Sequence, residues 1–423
     1  MRKLLVWALL AAFWIGRGAA APAKDPVCGE VGPIVAEMAE ISGLTERSKV
    51  KCEAITRDRV KEFLEERVRD SVKPADIQAE EAALKKLGFA PPDFDLKKTT
   101  IDLLTEQAAA FYDFHKKKLF IIETASDFDE RFTLAHELSH ALADQHFNLD
   151  KFIGHGNQDD DSALARLAVM EGQATWLMSE YVARQTGRSL KNSPALAKSM
   201  AEASSASSGE FPVFDRAPLY LRETLLFPYT QGMMFQQALV EKMGQAAFTE
   251  VFRRPPESTQ QILHPEKYLA HLKPVRPPLP PLPSPRNYRG FTDGEMGELD
   301  NAILLRQYVG EKESAAVAPE WRGGYFVLFE RKHSAPDWRR MVLAYASEWS
   351  GPAAAREYFE MYQKVLKGKW RSVEVTSRSA NAVAGRGDDG YFLLRLDGTR
   401  VTSLEGLPDA AAAGSTDAKS GLN

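Results

Sequence analysis

The segment from Thr133 to Leu149, TLAHELSHALADQHFNL, strongly limits how the chain can fold. Its apolar residues recur at the spacing of one helix face, which predicts a helix from about Asp127–Glu130 to Gln145. His136, Glu137 and His140 lie in the middle of the segment, among these apolar residues. Burying three ionisable side chains is costly unless another group compensates their charge. The segment therefore predicts a buried helix with a compensating partner.

The spacing of the three ionisable residues suggests what that partner is. Residues four apart lie on the same helix face, so His136 and His140 can point at one place. Glu137 is turned by about 100° around the axis and can reach the rim of that place. This is the H-E-x-x-H pattern, in which two histidines bind zinc and the glutamate acts as a base. The alternative is a helix whose histidines only form hydrogen bonds in the core.

A catalytic zinc ion needs a third protein ligand. Glu171 is the candidate, because it stands alone among apolar residues of a second predicted helix, from about Asp161 to Arg184. Three alternatives remain open at the level of sequence. Glu171 can instead pair with an arginine such as Arg166, and His155 or His146 can supply the third ligand.

These residues resemble the gluzincin metallopeptidases, the thermolysin-like group. The resemblance rests on His136-Glu137-x-x-His140 followed by Glu171, and it covers roughly residues 105–270. It implies an α+β zincin-type peptidase domain with one catalytic zinc ion and a peptide or protein substrate. The sequence departs from thermolysin in two ways. The gap from His140 to Glu171 is longer, and Thr175 stands where thermolysin has an aspartate that orients a metal-bound histidine.

The resemblance also implies roles for individual residues. Glu137 would be the general base, and Tyr229 or His264 would stabilise the oxyanion. Tyr229 is predicted at the start of a third helix, YTQGMMFQQALVEKMG, and His264 lies in a proline-flanked loop. A predicted β-hairpin, Ala109–Tyr112 with Leu119–Glu123, resembles the strand edge on which gluzincins bind peptides. His115 falls in its turn and is predicted to be on the surface.

Composition changes along the chain predict its domain organisation. A charged start, an apolar run and small residues predict a signal peptide, and PVRPPLPPLPSP predicts an extended spacer. Strand-like runs around the amphipathic helix PAAAREYFEMYQKVLKG predict a second α+β domain. The predicted parts are a signal peptide (1–23), a zincin-like domain with a helical N-terminal part (24–273), a proline-rich linker (274–287), a smaller α+β accessory domain (288–407) and a disordered tail (408–423).

The signal peptide predicts a secreted or periplasmic protein without a stable membrane anchor after cleavage. In such an oxidising compartment Cys28 and Cys52 can pair, although two separate thiols remain an alternative. A formal net charge of −4 over 423 residues gives no support for nucleic-acid binding.

The sequence thus predicts an exported zinc metallopeptidase. Two other functions remain open: a zinc hydrolase acting on a different amide or ester, and a binding protein that uses a peptidase fold without catalysis.

Overall fold

A computed structural model of the chain describes residues 27–56, 59, 62, 73–107, 110–122, 127–154, 160–205, 211–332 and 337–410. The predicted signal peptide and the rival ligand His155 lie outside the described residues. So does most of the predicted C-terminal tail.

The part before the proline-rich segment is mainly helical, as its apolar periodicity predicts. Its helices are α1 (Val31–Ser42), α2 (Pro74–Leu87), α3 (Leu96–Gln107), α4 (Asp127–Phe147), α5 (Leu149–Gly154), α6 (Asp160–Gln185), α7 (Pro194–Ser205), α8 (Pro212–Arg216), α9 (Leu219–Met243), α10 (Ala247–Arg253), α11 (Thr259–Leu263) and α12 (Pro265–Leu269). Helix α2 ends where Gly88 adopts φ +94°, which ends the helix in the left-handed conformation that glycine tolerates.

A small sheet packs against α4. It contains β1 (Lys51–Ile55), β2 (Ala110–Asp113) and β3 (Lys118–Ile122), in the order β1-β3-β2. Strands β2 and β3 form the predicted hairpin with a one-residue shift of the bounds, and β1 adds in parallel to β3. Strand β2 therefore lies at the edge of the sheet, and all four of its residues are buried. The hairpin prediction is confirmed.

The prediction for the third helix is wrong at its N-terminal end. Helix α9 begins at Leu219, ten residues before Tyr229, so Tyr229 lies in its interior. Pro228 lies inside the helix. Proline has no N–H to donate to an intrahelical hydrogen bond, so it is usually found in the first turn of a helix, where that N–H has no partner. Packing of the apolar residues around it continues the helix through this position.

The C-terminal part is α+β, as predicted. Its elements are β4 (Tyr288–Glu295), α13 (Glu298–Tyr308), α14 (Glu311–Val317), β5 (Trp321–Arg331), β6 (Val342–Trp349), α15 (Pro352–Lys369), β7 (Glu374–Arg378), β8 (Ala382–Gly387), β9 (Gly390–Asp397) and β10 (Arg400–Leu407). The strands form one antiparallel sheet in the order β4-β5-β6-β10-β9-β8-β7. Buried Tyr358, Phe359 and Leu366 on α15 pack against it.

The two parts share one continuous hydrophobic core that reaches from Val31 to Val401. The proline-rich segment between them is bound to the second part, because Val275 N donates to Arg322 O at 2.8 Å. Cys28 and Cys52, for which the sequence left pairing open, form a disulfide with Cα atoms 5.8 Å apart. Within the described ranges, no helix is both long and apolar enough to cross a bilayer.

Candidate metal centre

Helices α4 and α6 bring four ionisable side chains together in the core. His136, Glu137 and His140 come from α4, Glu171 comes from α6, and each is at most 1% exposed. The two helices pack side by side through the apolar residues that flank these positions. The pattern that predicts two buried helices therefore also places their ionisable residues in one shared site.

Three donor atoms form a compact triangle. His136 Nε2 lies 3.1 Å from His140 Nε2 and 3.1 Å from Glu171 Oε2, and His140 Nε2 lies 3.3 Å from the same Glu171 oxygen. A tetrahedral zinc site with bonds of about 2.0–2.1 Å has neighbouring donors about 3.3 Å apart. The triangle therefore matches one face of such a site.

Electrostatics within the triangle follow from its burial. Burial opposes ionisation of Glu171, but the neighbouring histidines lower its pKa below the usual range. Burial likewise opposes protonation of His140, yet the Glu171 carboxylate raises the pKa of this imidazole. Burial lowers the pKa of His136.

Glu137 is held beside the triangle by the edge strand. Tyr112 N donates to Glu137 Oε2 at 2.8 Å. One ligand atom each from Glu137, His136 and His140 lie within 4.8 Å of one another, so Glu137 also faces the histidines. Burial raises the pKa of Glu137 to about 8, although the His140 charge and the Tyr112 N–H favour its ionised form. Of the two glutamates, Glu171 has the shorter distances to both imidazoles, which favours it as the ligand.

A second contact joins the edge strand to α4, and sequence reasoning missed it. The Tyr112 hydroxyl donates to Asp144 Oδ2 at 3.0 Å, and Lys117 Nζ lies 2.6 Å from the same oxygen. The other Asp144 oxygen accepts from Leu149 N at 2.9 Å. Tyr112 is thus attached to α4 at both its backbone and its side chain. Asp144 follows His140 by one helical turn, so the sequence could have placed Asp144 on the same face of α4. Nothing in the sequence indicated Tyr112 as the partner of Asp144.

The structure separates the two candidates for oxyanion stabilisation. The Tyr229 ring is buried and stacks against His136, with centroids 6.0 Å apart and 27° between planes. His264 instead lies beside the C-terminal part, where its Nε2 is 2.7 Å from Glu298 Oε1. Tyr229 therefore adjoins the triangle, whereas the contacts of His264 are with residues outside it.

The remaining predicted residues also have definite positions. His146 Nε2 lies 2.8 Å from Thr45 O, and His115, half-exposed as predicted, lies 3.5 Å from Asp150. Thr175 is fully buried on α6, one turn after Glu171.

The triangle fits a divalent cation on further grounds. Among the described residues, Glu137 Oε1 and Glu171 Oε1 are buried without a hydrogen-bond partner. Buried polar atoms are normally satisfied, and a bound ion is a common explanation when protein groups do not satisfy them. Two imidazole nitrogens with one carboxylate oxygen are also the ligand types that zinc accepts. The residues present are thus able to hold a metal ion.

Comparison with known families agrees with this chemistry. Residues 93–182 match the family model of the IrrE N-terminal-like domain, named Peptidase M78, and this range contains His136, Glu137, His140 and Glu171. This match and the cluster relate the segment to the zincin-like metallopeptidases. Residues 286–417 match a domain of unknown function, DUF8575. The chain matched no curated protein and no solved structure.

Proposed function

We propose that this chain is an exported, zinc-dependent peptidase of the gluzincin type. The observation that carries the proposal is the triangle of His136, His140 and Glu171 with Glu137 anchored next to it by the edge strand. The match to a peptidase family over the same residues supports it. The class of substrate is a peptide or protein.

The chain's own groups provide the steps of amide hydrolysis. A bound zinc ion supplies Lewis-acid activation of the attacking water and of the scissile carbonyl. Glu137 takes a proton from the water as the C–O bond forms, and passes it to the leaving nitrogen as the C–N bond breaks. The Tyr112 N–H holds Glu137 in place during the transfer.

Tyr229 is our candidate for stabilising the oxyanion. Its ring stacks on His136, so the Tyr229 side chain lies next to the metal ligands. A donor of this kind contributes about 3–4 kcal/mol of transition-state stabilisation in comparable sites. The contacts of His264 with Glu298 favour a structural role for that histidine instead.

Peptide cleavage by matched variants tests the proposal. A zinc-loaded sample of the full chain is incubated with a broad peptide library, and products are identified by mass spectrometry. We expect cleavage by the wild type and a loss of at least about 100-fold in Glu137→Gln, which keeps the three zinc ligands. Equal cleavage by both proteins, or none by a wild type with full zinc content, would contradict it.

One observation favours a second function. The whole cluster is buried, and the side chain of Tyr229, which adjoins it, is also buried. A binding or regulatory protein that retains a metal in its core would show the same burial. In that case zinc content is full in the wild type while no peptide or other amide or ester is cleaved.

Export is supported by the disulfide between Cys28 and Cys52, because disulfides persist in oxidising compartments. Fractionation of cells that express the full chain, compared with a chain whose first native residue is Lys24, tests it. Export of the full chain alone is the expected result.

A further inference from the structure

A cavity of about 620 Å³ lies at the C-terminal end of α4, beside the edge strand. Its walls come from the segment before β1, the hairpin turn, and the connection from α4 into α5. Tyr112 and Asp144, which join the edge strand to α4, form part of its lining. The cavity is therefore built from the same strand and helix that carry the metal centre.

The lining of this cavity is cationic. Arg47, Lys49, Lys117 and Lys151 line it, against the single carboxylate of Asp144. Lys49 pairs with Glu46 and Lys117 with Asp144. Throughout the described ranges, Arg47 and Lys151 have no ion pair, and the Arg47 guanidinium donates only to the Gln145 carbonyl. Two positive charges thus remain uncompensated in a chain whose net charge is −4.

Backbone conformation singles out the same cavity. Four described residues other than glycine have positive φ, and two of them, Lys117 at 51° and Asn148 at 53°, line it. Asparagine tolerates this region, whereas lysine rarely adopts it. Glycine or asparagine would fit the hairpin turn with less strain. Strained residues cluster at functional sites, which suggests that the Lys117 side chain has a use there.

The cavity lies within reach of a substrate at the metal centre. Asp144 follows His140 by four residues, which is about 6 Å along the helix axis. A peptide in extended conformation rises about 3.4 Å per residue. A residue two or three positions from the scissile bond would therefore reach the cavity. Tyr112 connects the two places, since its N–H contacts Glu137 and its hydroxyl contacts Asp144.

We infer that this cavity is a substrate subsite that accepts a carboxylate group of a bound peptide. The inference rests on the proposed peptidase function. Arg47 and Lys151 supply the charges that recognise the carboxylate, and Lys117 adds a partly exposed ammonium that it shares with Asp144. The carboxylate can come from an aspartate or glutamate side chain, or from the C-terminus of the peptide.

Binding to a catalytically silent protein tests the inference without any need for cleavage. The full chain carrying Glu137→Gln is loaded with zinc and titrated into decapeptides labelled with tetramethylrhodamine, and anisotropy is recorded. One amidated peptide contains two glutamates, its partner contains two glutamines, and a third is the glutamine peptide with a free C-terminus. At low salt we expect a carboxylate peptide to bind at least about 10-fold more tightly than the amidated glutamine peptide, with a smaller ratio as salt rises. The tighter of the two carboxylate peptides identifies the source of the group.

A matched pair of variants locates the effect. Added to the silent protein, Arg47→Glu with Lys151→Glu should remove the preference. The control, Lys312→Glu with Lys364→Glu, makes the same change in net charge at two exposed residues outside the cavity. This variant should keep the preference for the carboxylate peptide. Equal affinities for all three peptides, or equal losses in both variants, would overturn the inference. Because the readout is binding, a protein that prefers the acidic peptide but cleaves nothing would contradict only the proposed peptidase activity.

Discussion

Gly172 of α6 and Gly232 of α9 meet backbone to backbone. A Cβ on Gly172 would lie 2.1 Å from Gly232 C, and a Cβ on Gly232 would lie 2.2 Å from Ala168 O. Only glycine allows this approach, since such distances are far inside van der Waals contact. Gly232 follows Tyr229 by about one turn, so the crossing also sets Tyr229 against His136. The metal centre thus depends on a contact between two residues that have no side chains.

Replacing Gly232 with alanine should therefore destabilise the fold. The added methyl group meets the backbone of α6, which cannot yield as a flexible side chain would. We expect the free energy of unfolding to fall by about 3 kcal/mol or more, as in overpacked cores. Urea denaturation followed by circular dichroism measures this. Gly290→Ala is the control, because no atom lies within 4 Å of the added Cβ; equal stability of the two variants would show that the helices can separate at little cost.

Zinc content should distinguish the two glutamates of the site. Glu171→Ala removes a ligand and should abolish stoichiometric zinc, whereas Glu137→Gln should retain it. Zinc affinity of the wild type should also fall as pH falls, because the raised pKa of His140 lets a proton compete for this ligand. Metal analysis after dialysis and calorimetry at several pH values measure both effects. Full zinc in Glu171→Ala would remove Glu171 from the ligand set.

The sequence predicted the parts of this site that break a local pattern. The sequence indicated the ionisable residues of the site because burying such residues in apolar helices is costly unless a partner compensates their charge. These residues are His136, Glu137, His140 and Glu171. Tyr112 broke no pattern in a hairpin, and its contacts to Glu137 and Asp144 depend on how strand and helix pack. Gly232 was equally ordinary. Strand β7 was missed because all five of its residues are exposed, so it has no alternation of apolar and polar positions.

Tyr229→Phe should lower turnover while leaving substrate binding nearly unchanged. The variant keeps the ring that stacks on His136 and removes only the hydroxyl group. We expect kcat to fall by about 100-fold or more, with KM changed little, because the donor acts mainly in the transition state. Steady-state kinetics on a cleaved library peptide measure this, with zinc content as the control for an intact site. A kcat equal to that of the wild type would exclude Tyr229 from this role.

Loss of the Cys28–Cys52 disulfide should reduce stability. The bond closes a loop between residues 24 apart and joins the segment just before α1 to β1. The chain-entropy model gives about 3 kcal/mol for a loop of this size. Denaturation of Cys28→Ser with Cys52→Ser, compared with oxidised wild type, measures the loss. Reduced wild type should match the variant, and a difference between them would mean that the substitutions act through something other than the bond.

Breaking the buried pair of Lys86 and Asp389 should destabilise the contact between the two parts of the chain. Lys86 lies on α2, its side chain is fully buried, and its ammonium is 3.1 Å from the Asp389 carboxylate between β8 and β9. Burial lowers the pKa of Lys86, and the neighbouring Asp389 and Glu405 carboxylates oppose this shift. Asp389→Ala leaves the cation uncompensated and should cost about 3–5 kcal/mol of unfolding free energy, whereas Asp389→Ala with Lys86→Met should recover most of it.

Asp102→Ala, which breaks the exposed pair with Lys98, is the control and should change stability little. Denaturation curves measure this. A lower midpoint for Asp389→Ala that Lys86→Met largely restores would show that the pair stabilises the contact between the parts. An unchanged midpoint would show that the shared hydrophobic core alone holds them together.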